Sequence, residues 1–198
     1  MDTADPVYDE ALRRARRLLI RTRRPGVHEP TAATLATATA DGRPSIRTVL
    51  IKQLDAHGVV FFTNLDSRKG RQLAENPRAA LGVFHDPSME QVSIEGRAEP
   101  LADAEADAYW ATRDRASQIG AWASRQSQPM PSRAMLLARV AQYGARFAGR
   151  PIPRPPRWSG FRIVPDRIEC WRARPFRLNE RVVYQRRGGR WSKGLLYP

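Results

Sequence analysis

Apolar positions follow a helical rhythm at the start of this chain and an alternating, strand-like rhythm through most of the rest. Residues 5–22 (DPVYDEALRRARRLLIRT) put Ala11, Ala15, Leu18 and Leu19 near one face, predicting an amphipathic helix that Pro25 and Pro30 close. Small and β-branched residues from Thr31 to Ala40 predict a strand, and Asp41-Gly42-Arg43-Pro44 predicts a turn. Ser45 to Leu54 reads as a second strand, and His57-Gly58 turns the chain into a third, Val59 to Asn64. The two turns together predict an antiparallel meander. Ser67 stands where a helix N-cap belongs, ahead of Arg68, Lys69, Leu73 and Ala74. Strands are expected at Ala79 to Phe84 and Gln91 to Leu101. The proline-free stretch Ala102 to Ser127 predicts one or two helices, and Ser132 to Ala148 another. After a proline-rich loop (Pro151, Pro153, Pro155, Pro156) come four more strands: Trp158 to Val164, Arg167 to Arg172, Val182 to Arg186 and Arg190 to Ser192. Short strands with helices inserted late imply an α+β barrel rather than a doubly wound sheet.

A length of 198 residues fits one domain, or one domain with a terminal helix, and 41% hydrophobic residues suffice for a sizeable core. No run of 18 apolar residues is present, so no membrane span is expected. The first 25 residues lack the apolar centre of a signal peptide. Cys170 is the only cysteine, which excludes an intramolecular disulfide and makes the cytoplasm the expected compartment. A lone cysteine of this kind is ordinarily a small buried hydrophobe.

The net charge of +14 changes the picture more. Such a balance suits nucleic acid, an anionic membrane or a phosphorylated ligand. The basic residues are scattered, however. The densest stretches, Arg13 to Arg24 and Arg172 to Arg190, carry neither zinc-ligand spacing nor a stacking aromatic array. Nucleic acid and membrane are therefore not expected partners. Of 34 basic residues only Lys52, Lys69 and Lys193 are lysine. A compact ammonium does not replace a guanidinium fork, so these three positions draw notice.

Three constellations have the makings of a site. Asn64-Leu65-Asp66-Ser67-Arg68-Lys69 sets a capping serine and two cations at a helix N-terminus, where free N–H groups and the dipole favour an anion such as phosphate. A capped surface helix with solvated cations would be spelled the same way. Tyr109, Arg113 and Ser117 recur at steps of four, one face of a continuous helix, and offer a second phosphate three donors. A solvated helix face remains the alternative. Arg47 and Lys52, five apart on one strand, face opposite ways unless a bulge intervenes. His28, His57 and His85 show no metal-ligand spacing, and neither a GxGxxG nor a P-loop motif is present. Two anion sites with few acid–base groups point to cofactor chemistry.

The stretches RTVLIK (47–52), VFFTNLDSRKGRQLAENPRAAL (60–81), QVSIEGRAE (91–99), RDRASQIGAWASRQS (113–127), WSGFRIVPDRIECW (158–171) and RLNERVVYQR (177–186) resemble the pyridoxamine 5′-phosphate oxidase family in order and spacing. The resemblance implies an α+β, FMN-binding split β-barrel, antiparallel and Greek-key-like, with peripheral helices. It implies a homodimer that holds each flavin mononucleotide (FMN) between subunits. Residues 1–30 would form an N-terminal helix and linker, and 31–198 the oxidase domain, with a C-terminal dimerisation region at 158–198. Carried over by position, the flavin contacts would be Arg47, Val49, Leu50, Lys52, Phe62, Thr63, Arg68, Lys69, Gln91, Gln126, Ser127, Trp171 and Arg181. Lys52, Tyr109, Arg113 and Ser117 would hold the phosphate of a phosphorylated pyridine substrate, and Arg177 and Asn179 would complete its site. The implied reaction oxidises pyridoxamine or pyridoxine 5′-phosphate to pyridoxal 5′-phosphate, with O2 as acceptor and H2O2 as product.

Three departures from the family pattern bear on the substrate. Asn179 replaces the histidine of the usual Arg-x-His pair, and asparagine does not titrate near neutral pH. The basic N-terminal segment of many members is not expected here, because the first helix begins almost at once, and Tyr8, inside that helix, is no clear substitute. Leu195 stands where an arginine is common. These leave two other readings: a related flavin oxidase recruited to phenazine-type biosynthesis, and a non-catalytic flavin- or pyridoxal-phosphate-binding protein.

Overall fold

The computed structural model describes residues 5–22 and 28–198; Pro25, Arg23 and Arg24 lie outside them. Helix α1 (Pro6–Arg21) starts at Asp5, whose Oδ1 accepts from the Val7 N–H at 2.9 Å. The Asp41-Gly42 turn joins β1 (Ala32–Ala38) to β2 (Pro44–Leu50), and His57-Gly58 joins β3 (Gln53–Asp55) to β4 (Gly58–Asn64). Then follow α2 (Arg68–Glu75), β5 (Arg78–His85), β6 (Glu90–Pro100), α3 (Asp103–Ala111), α4 (Arg115–Ala123), α5 (Arg133–Arg146), β7 (Trp158–Arg172), β8 (Glu180–Arg187) and β9 (Arg190–Leu195).

The two hairpins form as expected, but they are not neighbours in a meander. The sheet runs β2-β1-β5-β6-β7-β4-β3, with β8 on the second half of β7 and β9 beyond it, and every pairing is antiparallel. Its two end strands, β2 and β3, are consecutive in the chain, so the sheet must curl until they meet. The expected single strand Ser45–Leu54 breaks at this point. Ile51 N–H donates to Thr31 O at 2.8 Å on one side, and Lys52 N–H donates to Val60 O at 2.9 Å on the other. Two adjacent amides thus serve two ladders, and the curled sheet is split between β2 and β4.

The two strands expected at Trp158–Val164 and Arg167–Arg172 are one. β7 pairs with β4 through Ile163 and with β8 from Arg167, so Pro165 falls where that edge has no partner and its missing N–H costs no ladder bond. Opposite, a bulge between Glu95 and Gly96 absorbs the extra residue. Gly96 is required here, because a Cβ would lie 2.0 Å from Val164 O.

Inside the curl, Leu35, Val59, Phe61, Leu81, Ile94, Phe161, Ile163, Ile168 and Tyr184 form the core, and α1 closes it with Ala11, Ala15 and Leu18. Leu19, expected on the same face, is only partly buried, while Leu12 is fully covered. Glu10 ties the helix down, accepting from Tyr184 Oη at 2.9 Å and Lys193 Nζ at 2.9 Å. That ion pair accounts for one of the three lysines. No helix among the described residues is long and apolar enough to cross a membrane.

Truncating Leu18 leaves a cavity between α1 and the sheet. Leu18→Ala is expected to cost about 2–5 kcal/mol, read as a lowered urea midpoint with an unchanged slope.

Candidate active site

β4 turns Val59, Phe61 and Thr63 towards the core and Phe62 outward, then ends at Asn64, directly before α2. Asn64 Oδ1 accepts from Asp66 N–H at 2.8 Å, and Ser67 Oγ caps α2 by accepting from Gly70 N–H at 3.2 Å. Gly70 lets the first turn press against the strand end, since a Cβ there would lie 2.2 Å from Leu65 O. Lys69 is thereby drawn inside, 7% exposed, with Nζ donating to Thr63 Oγ1 at 3.0 Å and towards Ser67 Oγ at 3.5 Å. From β2, Arg47 reaches the same region. Its Nη1 donates to Thr37 Oγ1 (2.7 Å), Leu35 O (3.2 Å) and Ser45 O (3.2 Å), and its Nη2 to Ser45 Oγ (2.7 Å) and Gln72 Oε1 (3.2 Å).

All of these acceptors are neutral. Burial, reinforced by the Arg47 charge, brings the Lys69 ammonium down to about 8, and burial with the Arg68 charge lowers Arg47. Three cations with no carboxylate among their partners form an anion site, and the donor set suits a phosphate. Gln126 borders it, its Oε1 accepting from Thr63 Oγ1 at 3.0 Å and Asn64 N–H at 3.2 Å. Ser127 follows with a left-handed φ of 68°. Val49 is buried beneath this region, and Leu50 is half-buried on the opposite face.

On the outer face of β4, Phe62 stacks on Tyr109 (centroids 4.0 Å) and on Trp158 (5.3 Å). Lys52 Nζ lies 6.0 Å from the Tyr109 ring centroid, and the Arg113 guanidinium lies 5.1 Å from that of Trp158. The break at Ile51-Lys52 does not change the alternation: Arg47 serves the inner cluster and Lys52 the outer one. Residues 102–127 are not a continuous helix. Asp114 caps α4 by accepting from Ser117 N–H at 2.8 Å, so Tyr109, Arg113 and Ser117 do not share one helical face. They still converge, because Arg113 sits in the break and its Nη2 reaches Ser117 O at 3.2 Å. Its Nε is buried without a partner. A cleft of about 210 Å³ is lined by Thr63, Gln126, Phe62, Trp158 and Arg113, and Thr63 links it to Lys69 through the Nζ–Oγ1 bond.

The remaining candidates lie elsewhere on the chain. Gln91, Trp171 and Arg181 are cross-strand partners in one row over β6, β7 and β8, with Phe84 extending it on β5. Arg181 Nε donates to Glu169 at 2.7 Å. In the loop after β7, Phe176 (φ 58°) and Arg177 (φ 61°) are both left-handed, and Asn179 Oδ1 accepts from Arg174 N–H at 3.1 Å. Among the described residues, no side-chain hydrogen bond links this half to Lys69 or Arg113. A single chain displays the expected site as two halves.

Residues 21–147 match the family model for pyridoxamine 5′-phosphate oxidase, and residues 158–198 match the pyridoxine 5′-phosphate oxidase C-terminal dimerisation region. The chain belongs to the pyridoxamine 5′-phosphate oxidase family. A pyridoxine/pyridoxamine 5′-phosphate oxidase of Myxococcus xanthus (strain DK1622) is 55% identical over 170 residues, covering 86% of this chain and 82% of the relative. One from Rubrobacter xylanophilus (strain DSM 9941 / JCM 11954 / NBRC 16129 / PRD-1) is 49% identical over 197 residues, covering 100% and 89%. The crystal structure of PhzG from Burkholderia lata 383 in complex with tetrahydrophenazine-1-carboxylic acid superposes with a TM-score of 0.89 at 36% identity, covering 100% and 99%. A pyridoxamine 5′-phosphate oxidase-related, FMN-binding protein of Nostoc punctiforme PCC 73102 (TM-score 0.73, 18% identity, covering 94% and 97%) shares the split-barrel fold.

Within this oxidase-family chain, sequence reading missed Gln72, Thr37 and Ser45, which surround Arg47, and Trp158, which floors the cleft. A buried glutamine on a helix gives no periodic signal. Asp114, three residues before Ser117, was a legible cap. Other polar residues are placed structurally: burial pushes the Cys170 thiol up to about 11, and His85 is buried with Nδ1 2.7 Å from Ser88 Oγ. His28 and His57 are exposed, and no metal-ligating cluster occurs among the described residues.

Lys69 loses its proton near pH 8 when folded and near 10.5 when unfolded, so the unfolded chain binds more protons between those values. Stability of the ligand-free protein is therefore expected to gain a contribution as pH rises from about 8 to about 10.5. Thermal midpoints across this window should show the gain in the wild type and its loss in Lys69→Met.

Proposed function

We propose that this chain is an FMN-dependent oxidase that converts pyridoxamine or pyridoxine 5′-phosphate to pyridoxal 5′-phosphate, with O2 as electron acceptor and H2O2 as product. The observation that carries this reading is a cleft walled by Phe62 and Trp158 that has Arg113 in its lining and Lys69 bonded to its Thr63, neither cation in an ion pair among the described residues. One phosphate belongs to the cofactor and the other to the substrate. Family membership and the roughly equal kinship to several pyridoxine/pyridoxamine 5′-phosphate oxidases support it.

The residues present fit FMN. Arg47, Arg68 and Lys69 would hold its phosphate, and Thr63, Gln126 and Ser127 would border it. When bound, FMN supplies the two-electron acceptor; the protein contributes position and electrostatics. Lys52, Tyr109, Arg113 and Ser117 would anchor the substrate phosphate, and a phosphate oxygen would give the buried Arg113 Nε the partner it lacks. The rings of Phe62, Tyr109 and Trp158 exclude water from one wall of the cleft.

Gln91, Trp171, Arg181, Arg177 and Asn179 would be supplied by a second copy, in line with the dimerisation-region match over residues 158–198. The face carrying that row also exposes Ile46 and Phe84, apolar groups suited to burial between subunits. Asn179 would contribute a hydrogen-bonding group without a titrating proton. A cytoplasmic setting accords with a sequence that uses a single cysteine, Cys170.

A second reading, oxidation of a reduced phenazine carboxylate, draws on the likeness to PhzG and on Asn179. The two cationic groups favour the phosphorylated substrate. Adding pyridoxamine 5′-phosphate to the FMN-loaded protein without oxygen should bleach the flavin absorbance. Air should restore it with aldehyde and peroxide formed in equal amounts. A flavin that stays oxidised with this substrate but bleaches with a dihydrophenazine carboxylate would transfer the assignment to the second reading.

A further inference from the structure

Gln72 lies on α2, one turn beyond Lys69, and is 3% exposed. Its Oε1 accepts from Thr37 Oγ1 at 2.6 Å, Ser45 Oγ at 2.7 Å and Arg47 Nη2 at 3.2 Å. Its Nε2 is buried with no partner. Flipping the amide would set NH2 against the guanidinium, two donors face to face, so the Arg47 contact fixes the orientation. The orphaned donor is therefore a standing cost of having an amide at this position. Glutamate would accept from the same three donors and would form an ion pair with Arg47. What glutamate would remove is the positive charge that Arg47 lends to the anion site beside it.

We propose that Gln72 is a positioning residue of the flavin phosphate site, an uncharged acceptor that orients the Arg47 guanidinium while leaving its charge for the phosphate. Thr37 and Ser45 complete the same neutral cradle, each bonded both to Gln72 and to Arg47. The inference rests on the FMN reading given above, but it concerns a residue that needs no contact with the flavin.

Titrating FMN and riboflavin separately into the apoprotein, with fluorescence quenching as the readout, tests it, because riboflavin has the same ring system and no phosphate. Gln72→Glu is expected to keep or raise the thermal midpoint of the apoprotein. It should weaken FMN binding at least about tenfold and change riboflavin binding less than about threefold. Gln72→Met, uncharged and of similar length, loses the acceptor and should weaken FMN by a smaller factor, again sparing riboflavin. A merely structural role would weaken both flavins together. Equal losses for both flavins, or FMN binding at wild-type strength in Gln72→Glu, would overturn the inference. Should Gln72→Glu not fold, Gln72→Met decides by the same ratio. A wild-type apoprotein that binds neither flavin defeats the FMN reading itself and takes this inference with it.

Discussion

Lys69 is held out of water, and Arg47 half out of it, with only neutral oxygens as partners. Such charges are costly to bury unless something of opposite sign arrives. Much of the fold converges on keeping them there. β1 and β2 supply Thr37, Ser45 and Arg47, the end of β4 supplies Thr63, and a glycine-permitted close approach of α2 brings Lys69 and Gln72 inward. The partner switch at Ile51-Lys52 brings β2 and β4, which share no ladder, to the same place. An anion bound there would be satisfied by a preformed arrangement rather than by side chains gathered from solvent, which is what preorganisation means in energetic terms.

The second constraint is distance along the sheet. β7 binds the two halves of the molecule, pairing with β4 over its first part and β8 over its second. The cleft opens beside the first part, at Trp158, and the row of Gln91, Trp171 and Arg181 lies on the second. One rigid strand holds these groups apart and no loop can fold them together. A site containing both sets would draw them from two copies, in line with the dimerisation-region match over residues 158–198. The left-handed pair Phe176-Arg177, pinned by Asn179, projects its side chains away from its own core, as a contribution to a neighbour would.

Much of this was legible in the sequence. The turns at Gly42 and Gly58, the Ser67 cap and the scarcity of lysine led to the hairpins and to Lys69, because each is a local chemical signal. The departures share a cause as well. The break inside Ser45–Leu54 is invisible to alternation, since Val49 and Ile51 remain buried while the hydrogen-bond partner changes. Pro165 reads as a strand end, yet it sits where β7 has no neighbour on that edge. Lys193 belongs to an ion pair with a helix 183 residues away, and no local pattern announces such a contact. Gln72 acts through Arg47, so its role shows only once strand and helix are in place.

If Lys69 awaits a phosphate, a proton should be taken up when FMN binds. Burial brings the free Lys69 down to about 8, and a neighbouring dianion would raise it again and draw in a proton at pH 8.5. Calorimetric titration of the apoprotein with FMN, repeated in two buffers of different ionisation enthalpy, should show uptake of about half a proton or more per site. The uptake should disappear in Lys69→Met. Tight FMN binding by the wild type with no proton uptake at that pH would contradict it.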